Sequence, residues 1–204
     1  MIIKMFNLDP KPMGIKCPDG CRAVKFSGTC DIPAWIDICK GSEPELVGKS
    51  VDGYEKFRCE LIDIDGPDPY RDTYFVECSG KKVATFTAVP DMWSTGMGYI
   101  HMVACKKEYA GRGIGRYMVD CALKILSDIG KERVFLLTGD SRIAAVSLYL
   151  KAGFIPANDG RTPEQSREQL EIWQGLVDKL KVPSLDYLDF EGNYLTTLSY
   201  IENH

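Results

Sequence analysis

Long apolar runs are missing from this 204-residue chain. No stretch approaches the ~20 residues that a membrane-spanning helix needs, so no membrane partner is expected. A basic excess is missing too: 25 Lys and Arg against 29 Asp and Glu leave a net charge of -4. That argues against a dedicated nucleic-acid binder, whose affinity depends on a clustered cationic surface. The opening MIIKMFNLDPK lacks the apolar core of a secretory signal, so a cytoplasmic protein with reduced thiols is expected. Internal repeats and low-complexity segments are absent as well. What remains is a composition with 45% hydrophobic residues, enough to bury one sizeable core.

The eight cysteines are Cys17, Cys21, Cys30, Cys39, Cys59, Cys78, Cys105 and Cys121. Cys105 and Cys121 fall inside apolar periodic segments, where the thiol acts as a small hydrophobe. The CPDGC stretch with Cys30 and Cys39 matches no standard zinc-finger spacing, and no metal is expected.

The residues up to Gly20 are rich in proline and glycine and read as a loop-like arm, followed by a short strand over 22–26. IPAWIDICK, residues 32–40, sets Trp35, Ile36 and Cys39 on one helical face, and a second helical piece is expected over 49–61. An acidic, proline-punctuated run reaches Asp72. Three strands follow, 73–78, 82–89 and 98–106, with a tight turn at Ser79-Gly80, which predicts an antiparallel meander. Ile114, Met118, Cys121, Ala122, Ile125 and Ile129 then recur at helical spacing until Gly130. A buried-type strand spans 133–138, a second helix spans 142–152 and ends at Gly153, and an extended piece begins at Phe154. Thr162, Pro163 and Gln165 form a capping-box start, after which Leu170, Trp173, Leu176, Val177 and Leu180 line one face. The predicted organisation is a domain over 1–156 and a helical extension over 157–204. The extension packs on the core or on a second subunit, as in a homodimer.

The densest local signal is YAGRGIGR, residues 109–116, between a strand and a helix. Glycines there let backbone approach a ligand, and the amides of the helix's first turn point outward at its positive end, which makes an anion site. Gly115 is followed by Arg116 and Tyr117 rather than Lys and Ser or Thr, which excludes a Walker loop. Arg116 stands where the dinucleotide fingerprint needs its third glycine, and that fingerprint fails. A methyltransferase-like G-x-G-x-G fits Gly111, Gly113 and Gly115, but at mid-chain after a meander it is out of place.

The two stretches IHMVACKKEYAGRGIGRYMVDCALKIL and VFLLTGDSRIAAVSLYLKAGFIP resemble the acetyl-CoA-binding core of the GNAT superfamily of N-acetyltransferases. The resemblance rests on Gly113-Ile114-Gly115 within R/Q-x-x-G-x-G/A and on Tyr149 to Phe154 as Tyr-x-x-x-Gly-Phe. It covers 98–156. Ala110 departs from the motif's first position, and the asparagine often found before the second helix is replaced around Arg142. The resemblance implies an α/β fold with a mixed, mostly antiparallel sheet flanked by helices. It also implies acetyl-CoA as co-substrate, with pantetheine along the backbone of Val103, Ala104 and Cys105 and pyrophosphate on the amides of Gly111, Arg112, Gly113, Ile114, Gly115 and Arg116. Tyr149 matches the tyrosine that protonates the departing thiolate.

Acetylation requires a neutral amine, so a base is needed. His101, on the same strand face as Tyr99, Val103 and Cys105 by alternation and opposite to Ile100, Met102 and Ala104, is the first candidate; Asp91, Asp140 and a water relay are alternatives. Trp93 and Met92 in PDMWSTGMG could wall the acceptor, a small-molecule or peptide amine. The expected reaction is direct attack in a ternary complex. A non-catalytic acyl-CoA sensor and a methyltransferase using S-adenosylmethionine are the competing readings.

Overall fold

The computed structural model describes residues 1–42 and 52–200, so the expected start of the second helix at 49–51 lies outside the described residues. The chain divides into two compact units: Pro10–Val134, and Met1–Asp9 together with Phe135–His204.

In the 10–134 unit, the meander and one further strand form an antiparallel ladder. Numbered along the chain after β1 (Ile2–Asn7), these strands are β2 (Cys21–Lys25), β3 (Thr73–Cys78), β4 (Lys81–Val89) and β5 (Gly98–Cys105), and they pair in that order. Helix α1 (Ile32–Ser42) buries Trp35, Ile36, Ile38 and Cys39, as its periodicity requires. Helix α2 (Gly53–Leu61) starts where the Asp52 carboxylate accepts the Tyr54 amide, and it buries Phe57 and Leu61. These faces meet β3 and β5 in one aromatic core: Phe26 stacks on Phe57 at 5.7 Å between centroids, and Trp35 meets Phe57 edge-on at 5.2 Å. The short α3 (Pro69–Asp72) is capped by the Asp68 side chain. Helix α4 (Ile114–Asp128) buries Ile114, Met118, Val119, Ala122, Leu123 and Leu126; Ile129, expected on that face, is exposed beyond its end.

The register of β2 on β3 sets Cys21 opposite Cys78, and a disulfide joins them, which corrects the expectation that every cysteine is a free thiol. The spacing of CPDGC could not show this, because the partner lies 57 residues away, beyond the helices that separate β2 from β3.

In the other unit, β1, β6 (Val134–Gly139), β7 (Ile155–Ala157), β8 (Ser184–Leu188) and β9 (Tyr194–Ser199) lie in the order β6-β1-β7-β8-β9. β1 pairs antiparallel with β7, β7 parallel with β8, and β8 antiparallel with β9. β1 replaces part of the arm read as loop, and its last five residues are buried. Helix α5 (Ile143–Lys151) precedes β7, and the Asn7 side-chain amide donates to the Ala152 carbonyl at 3.1 Å. Helix α6 (Pro163–Leu180) opens as its capping box predicts: Thr162 accepts the Gln165 amide at 3.2 Å, and the Gln165 side chain accepts the Arg161 amide at 2.9 Å. The C-terminal extension therefore contains the expected helix, and it also contains a β8–β9 hairpin that the sequence reading left out. Both units are mixed α/β, with antiparallel pairing throughout the ladders described except β7–β8. Among the described residues, no helix is long and apolar enough to cross a membrane.

Candidate active site

β5 carries a bulge. Thr85 pairs with Ala104 and Thr87 with His101, so Phe86 stands opposite both Met102 and Val103. Met102 takes φ +49, a left-handed conformation that side-chain-bearing residues seldom adopt. The bulge resets the alternation expected along the strand. Met102 and Ala104 pack on the α1–α2 core, while the His101 ring stacks on Tyr99 at 5.1 Å and reaches α2.

On α2, Glu60 receives the His101 side chain. His101 Nε2 lies 3.1 Å from Glu60 Oε2 and 3.2 Å from the Glu60 carbonyl oxygen. Lys56, one turn earlier, bonds the other carboxylate oxygen. The hydrogen bond from His101, reinforced by Lys56 and opposed by burial, holds the Glu60 carboxyl at about 2. Sequence reading counted Glu60 only within an acidic run. That run is largely spent on the fold: Asp63 pairs with Arg58, Asp68 caps α3, and buried Asp72 binds Arg71.

Past β5, the chain makes one 3₁₀ turn, Lys107–Tyr109, and enters the glycine loop. Gly111 and Gly113 adopt φ +76 and +82, which explains why glycine stands at both. Gly113 is the N-cap of α4 and offers no side chain to the first turn, which carries no acidic residue. The first amide to close within the helix is that of Tyr117, on Gly113 O at 3.1 Å. The amides of Ile114, Gly115 and Arg116 thus have no acceptor inside α4, and the helix dipole reinforces them. Arg112 is exposed, lies over the Tyr109 ring at 4.8 Å and donates to the Glu108 carbonyl. Beside it a pocket of about 400 Å³ is lined by Asp19, Cys21, Cys78, Lys81, Tyr109 and Arg112, among others. Two cations stand there against one carboxylate, and with the α4 N-terminus that follows Arg112 they suit an anion such as a phosphate.

The arm is fastened beside this loop. Asp120, buried on the second turn of α4, accepts the amides of Met13 and Ile15. Burial, together with hydrogen bonding to Cys121 and Cys17, pushes the Tyr117 phenol upward, and Cys17 donates to the Cys21 carbonyl. Nothing in the sequence pattern marked Asp120, since it occupies an ordinary position of an amphipathic helix.

The remaining candidates divide. Trp93 is 45% exposed, takes φ +54, and its ring lies 5.9 Å from Tyr99; Met92 is fully buried, with its sulfur packed against Gly66. Asp91 accepts the Gly96 amide at 2.7 Å and closes its own loop. Asp140 binds the Met1 amino group at 2.7 Å. Burial raises the Cys105 thiol to about 11, with Glu108 adding to the effect, which makes it a poor nucleophile. In the other unit, Tyr149 is buried on α5 and meets Phe154 edge-on at 5.9 Å. Arg142 stands at the N-cap of α5 without capping it through its side chain. Among the described residues, no group of three or more His, Cys, Asp or Glu side chains could hold a metal ion.

The chain has relatives among known proteins. The sequence model of the acetyltransferase (GNAT) family matches residues 35–154. The chain is similar to a mycothiol acetyltransferase of Catenulispora acidiphila, 28% identical over 146 residues, which is 67% of this chain and 44% of that protein. It is also similar to the N-alpha-acetyltransferase MAK3 of Arabidopsis thaliana, 39% identical over 79 residues, which is 38% of this chain and 42% of that protein. The matched part is thus less than half the length of either relative. A GCN5-related N-acetyltransferase from Sphaerobacter thermophilus shares the fold, with TM-score 0.60 and 21% identity over 76% of this chain and 48% of that one. With the family match spanning more than half of its residues, the chain belongs to the GNAT acetyltransferase family.

Proposed function

We propose that the protein is an N-acetyltransferase that moves the acetyl group of acetyl-CoA to a primary amine of a small molecule or peptide. The observation that carries this reading is the passage of bulged β5 into a helix whose first-turn amides find no acceptor within it. Acetyl-CoA supplies an activated thioester carbonyl. The backbone of Val103, Ala104 and Cys105 is assigned to its pantetheine arm, and the amides of Gly111 to Arg116, with Arg112 and Arg116, to its pyrophosphate. Lys81 and Arg112, against Asp19, leave the adjoining pocket net positive, which suits the nucleotide end.

His101 removes the proton that leaves the ammonium, and the neutral amine attacks the carbonyl directly. The N–C bond forms as the C–S bond breaks, and Tyr149 gives its proton to the departing thiolate, a role carried by its place in Tyr-x-x-x-Gly-Phe. The raised Cys105 thiol favours this direct route over an acyl-enzyme. Exposed Trp93, beside Tyr99, is assigned to the acceptor, with buried Met92 supporting its loop. The two relatives' names speak of a thiol metabolite and of N-alpha amines, which keeps both acceptor classes in the proposal.

The test is incubation with acetyl-CoA and a panel of small-molecule and peptide amines, read by mass spectrometry. The proposal predicts the mass gain of one acetyl group on at least one amine. Acetyl-CoA binding without transfer to any of them would favour the sensor reading instead.

A further inference from the structure

The His101 ring is hydrogen-bonded through Nε2. Its Nε2 faces two oxygens of the same residue, the Glu60 carboxylate at 3.1 Å and the Glu60 carbonyl at 3.2 Å. A carbonyl oxygen accepts and never donates, and an ionised carboxylate does the same. The nitrogen between them must therefore carry hydrogen in both the neutral and the charged ring. Both side chains are largely withdrawn from solvent, at 11% exposure for His101 and 23% for Glu60, so water competes little for these bonds.

We propose that Glu60 is a positioning residue that fixes the His101 proton on Nε2 and leaves Nδ1 as the nitrogen that gains and loses a proton. Its catalytic consequence rests on the reading of His101 as base; the tautomer itself does not. Four elements share in the arrangement. From α2 come Glu60 and Lys56, and Lys56 bonds the second carboxylate oxygen and so fixes the carboxylate's orientation. From α1, buried Cys39 lies in the field of both, with burial raising its thiol to about 12, so it stays neutral. From β5 itself, the Tyr99 ring stacks on the imidazole and restricts its rotation. From β4, Thr87 pairs with His101 across the ladder. The low Glu60 carboxyl, at about 2, keeps the acceptor ionised through the working range. The arrangement is that of a base with its far nitrogen anchored to a carboxylate, which aligns the free lone pair.

The experiment uses the full chain labelled with ¹⁵N-histidine, which carries two histidines, and His101→Gln assigns the signals. In the neutral ring, Nε2 is expected as the protonated nitrogen and Nδ1 as the bare one; a neutral ring with its proton on Nδ1 would overturn the proposal without any turnover being measured. Glu60→Gln keeps an acceptor and removes the charge. It should retain the Nε2 proton and lower kcat roughly tenfold with KM for acetyl-CoA unchanged. A kcat that Glu60→Gln leaves unchanged while His101→Gln abolishes turnover would refute the positioning role. A kcat untouched by His101→Gln would instead refute the base reading, with the tautomer result standing by itself.

Discussion

Asp120 Oδ2 accepts the Ile15 amide at 2.9 Å, across 105 residues of sequence, and its other oxygen takes the Met13 amide. One buried carboxylate thus ties the N-terminal arm to the helix that opens with the glycine loop. Replacing it by alanine removes the acceptor of two part-buried amides; a fully buried unmet group costs about 1–3 kcal/mol, so a loss of about 1 kcal/mol is expected here. Asp120→Ala should lower the unfolding free energy by that order and raise amide exchange over 10–20 before the rest of the 10–134 unit. Exchange that rises uniformly would show that the arm is not held locally.

The Cys21–Cys78 bridge joins positions 57 residues apart and closes β2 onto β3. A link of that span stabilises by about 2–4 kcal/mol, chiefly through the unfolded chain. Denaturation in urea should show a loss of that size for the Cys21→Ser/Cys78→Ser double variant and an equal loss for the wild type under strong reductant. Identical midpoints with and without reductant would mean that the bridge does not form in solution.

Gly113 holds φ +82 as the N-cap of α4, with open space where a side chain would stand. A β-branched residue there strains the backbone without a packing clash, so Gly113→Val should act on the loop's geometry. The expected outcome is a tenfold or greater rise in KM for acetyl-CoA, with KM for the amine changed little. A variant that loses the amine first would place the anion site elsewhere.

The lowered Glu60 carboxyl makes a stability prediction with a definite sign. Its folded value of about 2 lies below the ordinary 4.5, so its contribution is present above about pH 4.5 and is lost as pH falls through about 2. Glu60→Gln should therefore be less stable than wild type at neutral pH, with the gap closing in that acid window. A gap independent of pH would mean that the effect is one of packing.

Much of this architecture could be read from local pattern. The run from 98 through the glycine loop to Gly130 was legible because strand alternation, glycine spacing and helical periodicity are all short-range signals. The phase of His101 was legible only in part, since a bulge at Met102 is invisible to alternation. Strand β1 was missed because the prolines and glycines of 10–20 drew the whole arm into one loop, and because Lys4 interrupts its apolar run. That ammonium is buried over Phe6, Phe135 and Phe190, at 4.8, 5.2 and 4.0 Å from the ring centroids, and burial lowers its pKa. Two of those rings, Phe135 and Phe190, come from more than a hundred positions away. The β8–β9 hairpin was missed for a related reason: β9 is mostly exposed, so its apolar signal is weak, although Asp189 accepting the Glu191 and Asn193 amides is a readable turn. Glu60 and Asp120 were unreadable because their partners lie 41 and 105 residues away. Each acts through a contact that only the folded chain creates.

The claim on which the account depends most is that the amides beyond Gly113 receive acetyl-CoA. Calorimetric titration of the wild-type chain with acetyl-CoA, beside Gly113→Val and a parallel titration with S-adenosylmethionine, tests it directly. Saturable acetyl-CoA binding is expected, weakened at least tenfold in the variant, with no heat from S-adenosylmethionine. Wild-type protein that takes up no acetyl-CoA, or a variant that binds it as tightly, would contradict it.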